Sequence, residues 1–175
     1  MIEHMKKIFT GQLEAALAML NDCVGQCPPE HWDGKIAKYT FWQVAYHTAC
    51  YGDLYLSPSK EAFRLRNIHP QGWKEFEEEF PSRRIEKTEI LDYIAHCREK
   101  AGPAIAAETR ETLEGPSGYS WCPFSRAELH VYNIRHVQHH TGQLGVYLRR
   151  ADVSLQKQDA LRWVRTGWKD DSLLR

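Results

Sequence analysis

Four histidines on two predicted helices are the residues whose type and spacing favour chemistry: His47, His136, His139 and His140. His136 and His140 form an i, i+4 pair, which places them about 40° apart on a helix and roughly one turn apart along its axis. His139 falls nearly opposite the apolar seam of the same helix. We therefore expect the i, i+4 pair to face a common cavity and His139 to point away.

The earlier helix adds a third inward imidazole. His47 shares an apolar face with Val44, Tyr51 and Tyr55. Three neutral imidazoles suit one divalent metal ion, with zinc as the default and nickel or iron as alternatives. The predicted metal ligands are His47, His136 and His140. Three protein ligands leave one coordination position for water or substrate, which is the pattern of a catalytic zinc site.

An alternative interpretation is that these histidines bind no metal. Nine histidines in 175 residues produce close spacings by chance, and a lone inward histidine is often a core residue. Burying several imidazoles without partners is costly, however, and one shared metal would remove that cost for all three. A di-metal carboxylate bundle is set aside, because neither helix carries a Glu-x-x-His motif.

Four amphipathic stretches predict the helices that position these histidines. They cover residues 2–25, 40–56, 86–112 and 125–150. The second and fourth begin with capping boxes at Thr40 and Ser125. The Gly102-Pro103 step predicts a kink in the third helix, or two shorter helices. Because no strand pattern competes, the predicted fold is all-α, a four-helix bundle.

Side chains on these helices predict a core and neighbours for the site. The apolar face of the first helix consists of Ile8, Leu13, Leu17, Leu20 and Val24. Four tyrosines could line the cavity and orient a substrate, or could simply pack: Tyr51, Tyr55, Tyr132 and Tyr147. Asn133 and Gln143 lie near the ligand face and could bond to a ligand imidazole, or could simply pack.

The connections differ in length. Residues 57–85 form a long connection that suits a crossover or a lid, with a short helix predicted at 73–80. Residues 113–124 are a predicted loop, and the tail 151–175 is expected to add a short helix around 159–165.

Composition excludes several classes. A length of 175 residues suits one domain, 1–175, and 42% hydrophobic with 26% charged residues is typical of a globular chain. The 23 basic and 23 acidic residues balance, which gives no electrostatic reason for nucleic-acid or membrane binding. The N-terminus lacks the features of a signal peptide. We therefore expect a cytoplasmic protein with its five cysteines as reduced thiols.

Two segments resemble a known family. Residues 133–144, NIRHVQHHTGQL, are similar to the last helix of the DinB-like superfamily, where an H-x3-H is followed shortly by a Gly-Gln step. Residues 41–47, FWQVAYH, resemble the second helix of that family, which carries one histidine ligand. The rest of the chain matches only in the order of its helices.

The resemblance implies an up-up-down-down four-helix bundle with a long crossover between helices two and three, and a homodimer. It also implies a divalent metal, often zinc or nickel, on His47, His136 and His140. Characterised relatives include S-transferases that use low-molecular-weight thiols and a mycothiol-dependent maleylpyruvate isomerase. Others have no known activity, so membership does not define the reaction.

Three functions remain open at the level of sequence. A metal-dependent transferase would activate a thiol for attack on a small-molecule substrate. A metal-dependent hydrolase would use the same ligands but generally needs a carboxylate base nearby. Asp53, the acid on the second helix, projects about 120° away from His47, which favours the thiol route. A non-catalytic, stress-linked metal- or ligand-binding module is the third interpretation.

Overall fold

Helix caps mark where the main elements begin. The computed structural model describes residues 1–69 and 83–151. Both predicted capping boxes are confirmed: Thr40 and Ser125 each accept a hydrogen bond from the backbone N–H three residues later. Their partners Gln43 and Glu128 bond back to the cap residues. Each box satisfies two backbone donors at a helix end.

The described residues form five α-helices and one small antiparallel sheet. The helices are α1 (Ile2–Gln26), α2 (Phe41–Leu54), α3 (Lys87–Ala106), α4 (Arg110–Glu114) and α5 (Arg126–Arg150). The strands are β1 (Lys35–Ile36) and β2 (Tyr39–Thr40), and a 3-10 turn covers Pro29–His31. An all-α fold is thus confirmed, apart from the sheet.

The four long helices pack in pairs around one core. Helix α1 packs against α3 and α5, and α2 packs against the same two helices. Fully buried side chains from all four fill the centre, among them Leu17, Tyr46, Ile94 and Leu144. The up-up-down-down order stays a prediction. No helix within the described ranges has the length and apolarity needed to cross a membrane.

The two-stranded sheet was not predicted, because strands of two residues are too short to show an alternating pattern. In the register of the hairpin Lys35 pairs with Thr40. Gly34, the residue just before β1, lies against Tyr147 near the end of α5. A side chain at Gly34 would place its Cβ 1.7 Å from the hydroxyl of Tyr147, so glycine is required for this close approach. The hairpin leads directly into α2 and helps to place its first turn, since Phe41 N–H bonds to Gly34 O at 2.8 Å.

The third predicted helix is two helices, and the break is not at proline. Helix α3 runs through Pro103 and ends at Ala106, and α4 begins at Arg110. Proline removes the N–H that would bond to Glu99 O. Glu99 and Pro103 are both exposed, so water can donate a hydrogen bond to the carbonyl of Glu99.

Several smaller expectations are corrected or lie outside the description. On α1 the predicted core residues Leu13, Leu17, Leu20 and Val24 are buried. Ile8 is 46% exposed, however, and its neighbour Phe9, at 6%, takes the core position. The short helices predicted at 73–80 and 159–165 fall outside the described residues.

Candidate metal centre

The three predicted ligands lie together where α2 packs against α5. The imidazole of His47 lies with its ring centroid 5.2 Å from that of His136 and 4.7 Å from that of His140. His136 and His140 are also 4.7 Å apart. One nitrogen from each ring lies within 4.8 Å of the other two. We call these three residues the His cluster.

Buried polar contacts hold the two helices in this register. The side-chain amide of Asn133 donates to Gly52 O at 3.1 Å, which joins α5 to α2 next to the His cluster. Thr48 and Thr141, which each follow a ligand candidate, donate to the carbonyls of Val44 and Val137 at 2.7 Å. Their hydroxyls are thereby satisfied inside a buried interface. Asn133 thus bonds to backbone and not to a ligand imidazole, which corrects one of its two predicted roles.

Gln143 orients one imidazole of the cluster. Its side-chain oxygen lies 2.8 Å from His140 Nδ1, so that nitrogen donates its proton and Nε2 keeps a lone pair. The amide nitrogen of Gln143 donates to His139 Nε2 at 3.2 Å. His139 itself is exposed and outside the cluster, as its helical position predicts. A hydrogen bond such as that between Gln143 and His140 Nδ1 fixes the tautomer of a metal-binding histidine.

All three imidazoles are neutral near pH 7. Burial lowers the pKa of His47 from 6.5 to about 3. Burial and the neighbouring imidazoles lower the pKa of His136 to about 2. For His140, burial and the nearby His47 outweigh the bond from Gln143 and lower the pKa to about 4. The neutral form is the one that binds metal.

Aromatic side chains border the His cluster. The ring of Tyr51 lies 4.6 Å from that of His47, and the ring of Tyr55 lies 6.0 Å from that of His136. Tyr132 packs on Tyr55 at 5.5 Å and extends the same wall. The fourth predicted tyrosine, Tyr147, lies elsewhere.

That residue belongs to the hairpin contact. The hydroxyl of Tyr147 is 3.1 Å from His31 Nδ1, and no contact joins it to the His cluster among the interactions described. Of the two roles considered for Tyr147, packing therefore fits the structure better than orientation of a substrate.

Carboxylates lie on the other side of α2. Asp53 is 1% exposed and accepts hydrogen bonds from Tyr93 at 3.0 Å and from Lys100 at 2.5 Å. Within the described ranges, no aspartate, glutamate or cysteine lies close enough to join the His cluster as a fourth ligand. The predicted separation of Asp53 from His47 agrees with this geometry.

A second buried polar group was not predicted. The carboxylate of Glu108 accepts from Arg126 Nε at 2.8 Å and from His130 Nε2 at 3.0 Å. Lys100 and Arg126 also both donate to Ser57, at 2.9 Å to its hydroxyl and 2.8 Å to its carbonyl. Asp53, Ser57, Lys100, Glu108 and Arg126 form what we call the ion-pair network. No sequence spacing signals it, because a loop separates α4 from α5 and the partners meet only on folding.

The donor set and spacing of the His cluster fit a divalent metal. Two nitrogens on one tetrahedral zinc ion lie about 3.4 Å apart, given bond lengths of about 2.0–2.1 Å. His47 Nε2 and His136 Nε2 are already 3.2 Å apart. One feature departs from the usual pattern: within the described structure, the buried His136 Nδ1 has no hydrogen-bond partner. Ligand histidines generally donate this second proton to an acceptor.

Fold and site together define a class, a helical bundle with three histidines from two helices facing one point. Comparison with family models agrees with this class. The model of the DinB superfamily matches residues 12–144, a span that includes the whole His cluster. The chain belongs to the DinB superfamily. Comparison with curated proteins and with solved structures gives no match.

Proposed function

We propose that this protein binds one divalent metal ion, zinc in the first instance, through His47, His136 and His140, and uses it to transfer a small thiol to an electrophilic substrate. The observation that carries the proposal is the convergence of three neutral imidazoles, with no carboxylate among them in the part of the chain that the structure describes. A hydrolase generally needs such a carboxylate as a base. A thiol does not, since its proton is lost easily once the sulfur is bound to a cation.

The thiol has to come from outside the chain. All five cysteines are free and buried. Burial raises the pKa of Cys23 and of Cys27 to about 12, and it also raises the pKa of Cys122. None of these three thiols is poised as a nucleophile at neutral pH. A bound metal would supply the missing acidity by holding an incoming low-molecular-weight thiol as its thiolate.

The side chains around the His cluster would then orient the ligand imidazoles and the substrate. Gln143 keeps His140 in the tautomer that offers Nε2. Tyr51 and Tyr55 supply an aromatic wall beside the cluster. Burial raises the pKa of Tyr55, so its phenol stays protonated. The wall favours an electrophile with an apolar or planar body, in keeping with the general make-up of small-molecule sites.

The homodimer belongs to the same proposal, since it comes from the family resemblance. Light scattering on the purified protein tests it directly. A mass near twice 20.4 kDa supports the dimer, and a mass near 20.4 kDa contradicts it.

Metal content is the first test. The protein is purified without a histidine tag, loaded with zinc and desalted, and its metal is measured by mass spectrometry. We expect about one zinc per chain in the wild type and in His139→Ala, the matched control on the same helix. The double variant His136→Ala/His140→Ala should hold none. Full occupancy in the double variant would refute the ligand assignment.

Turnover is the second test. The zinc-loaded protein is mixed with L-cysteine and 1-chloro-2,4-dinitrobenzene. In the reaction the thiolate sulfur forms a bond to the ring carbon, chloride leaves, and the thiol proton passes to solvent. We expect a rate above the uncatalysed one in the wild type and in His139→Ala, and the background rate in the double variant. Normal zinc content with background rates for this and other thiol–electrophile pairs would instead support a non-catalytic metal-binding module.

A further inference from the structure

A large cleft opens on the side of α2 away from the His cluster. Its volume is about 1320 Å³, and it lies between the end of α2, the segment after it, α3 and α4. None of the three imidazoles lines it. A cavity of this size can enclose much of a small organic molecule.

The walls of the cleft are apolar. They are formed by side chains from three parts of the chain: Leu56, Ala62, Leu65, Pro103, Ala104 and Ala107. Leu65 is 57% exposed. Such walls remove the apolar body of a ligand from water, which favours its binding.

The floor of the cleft is charged but balanced. Lys100 pairs with Asp53 at 2.5 Å, and Arg126 pairs with Glu108 at 2.8 Å. Both acids are therefore already neutralised by bases of the same cleft. The floor therefore adds no net charge to the cleft.

The rim carries an excess of basic groups. Beyond the floor pairs, the described lining residues include two arginines, Arg64 and Arg66, but a single acid, Glu111, with the imidazole of His96 beside them. The guanidinium of Arg66 lies 5.6 Å from the ring centre of Tyr93, which holds it beside the cleft. Burial lowers the pKa of His96, although the carboxylate of Asp53, 3.8 Å from His96 Nε2, acts in the opposite direction. The anion-binding charge at this end of the cleft therefore comes from the two arginines.

We propose that this cleft binds a small molecule with an apolar body and one carboxylate, with the carboxylate between Arg66 and His96 and the body against Leu56 and Ala104. The site is separate from the His cluster, so binding of the ligand here does not depend on the metal. Guanidinium and carboxylate form charge-assisted hydrogen bonds, which give the ligand its orientation.

Octanoate is the probe, measured by isothermal titration calorimetry, with 1-octanol as the uncharged comparison. We expect one octanoate per chain, bound at least tenfold more tightly than octanol. Arg66→Gln should weaken octanoate about tenfold and leave octanol unchanged. His140→Ala should leave both unchanged, which separates this site from the proposed metal centre.

Two variants test the location. Ala104→Trp places a large ring in the cleft and should abolish binding of both probes. Leu65→Glu adds a negative charge at an exposed wall position and should weaken octanoate alone, with Leu65→Gln as its neutral control. Circular dichroism checks that each variant is folded. The proposal is overturned if octanoate does not bind at millimolar concentration, if Leu65→Glu and Arg66→Gln bind it normally, or if His140→Ala loses it.

Discussion

Two polar regions flank α2, and they differ in how their side chains are paired. In the ion-pair network each charge meets an opposite charge, as in the contact of Arg126 with Glu108 at 2.8 Å. In the His cluster three identical groups meet each other, with His47 Nε2 and His136 Nε2 at 3.2 Å. One region is complementary within itself. The other has the ligand atoms of a site that could hold a metal ion.

The difference appears in the ionisation of the two regions. Burial alone would raise the pKa of the Glu108 carboxyl, but hydrogen bonds from His130, Thr112 and Arg126 outweigh it and hold the pKa at about 2. Glu108 is thus charged and paired near pH 7. In the His cluster burial drives the imidazoles to the neutral form. The network therefore favours stability of the fold, and the cluster keeps its lone pairs for a ligand.

Removal of one partner from the network gives the largest expected effect. Glu108→Gln leaves the buried Arg126 without its counter-charge, and we expect a loss of about 3–5 kcal/mol in the free energy of unfolding. Urea denaturation measures it. Glu114→Gln is the matched control on α4, since Glu114 pairs with Arg110 at the exposed surface at 3.6 Å and should cost at most about 1 kcal/mol. Equal losses in the two variants would contradict the assigned role of the network.

Acid should reduce the difference in unfolding free energy between wild type and Glu108→Gln. The pKa of Glu108 is about 2 in the folded state against 4.5 for a free carboxyl. A lowered carboxyl pKa stabilises the fold above the unfolded value, and this contribution is lost as pH falls through the folded value. The gap in unfolding free energy should therefore shrink between about pH 5 and pH 2, by about 3 kcal/mol at most. A gap that is constant over this range would show that Glu108 acts without its charge.

Stabilisation of the protein by zinc should depend on His47 and not on Asp53, which lies on the other face of α2. At a free concentration of 100 times its Kd, zinc is expected to raise the free energy of unfolding of the wild type by about 2.7 kcal/mol. His47→Ala should lose this gain, whereas Asp53→Asn, on the other face of α2, should keep it even though its starting stability is lower. Thermal unfolding with and without zinc provides the comparison. Stabilisation of His47→Ala equal to that of the wild type would place the metal elsewhere.

Gln143 tests whether orientation matters inside the His cluster. Gln143→Leu removes the acceptor for His140 Nδ1, and we expect zinc affinity to fall about 10–100-fold, or about 1.4–2.7 kcal/mol. His139→Ala removes the other partner of the same amide and should leave the affinity near that of the wild type. Competition with a chromogenic chelator measures both. If the two variants behave alike, Gln143 has a packing role.

A hydrogen bond at the edge of the network gives the smallest expected effect. Tyr93 donates to Asp53 at 3.0 Å, and Lys100 remains as a partner when the hydroxyl is removed. Tyr93→Phe should therefore cost about 1–1.5 kcal/mol. A double-mutant cycle with Asp53→Asn isolates the contact, because the cost of Tyr93→Phe should fall when Asp53 is already neutral. An unchanged cost would attribute the effect to packing of the ring.

Local patterns in the sequence were sufficient for three of the four predicted helices and for the residues that meet in the His cluster. The capping boxes at Thr40 and Ser125 depend on residues three apart, and the pairing of His136 with His140 depends on one helical turn. Both are short-range, so geometry within one element predicts them. The same geometry predicted that Asp53 faces away from His47, and the structure agrees.

The remaining features depend on contacts between distant parts of the chain. Pro103 stays inside α3, where its turn faces solvent, and Phe9 takes the core position predicted for Ile8. The ion-pair network and the cleft above it join α2, α3, α4 and α5, and no periodicity in one element records such a meeting. The sequence by itself determined most of the residues that face inward on each helix, since helical periodicity is local. Only the tertiary structure decided which of those inward groups became partners, because pairing depends on the approach of helices that are far apart in the chain.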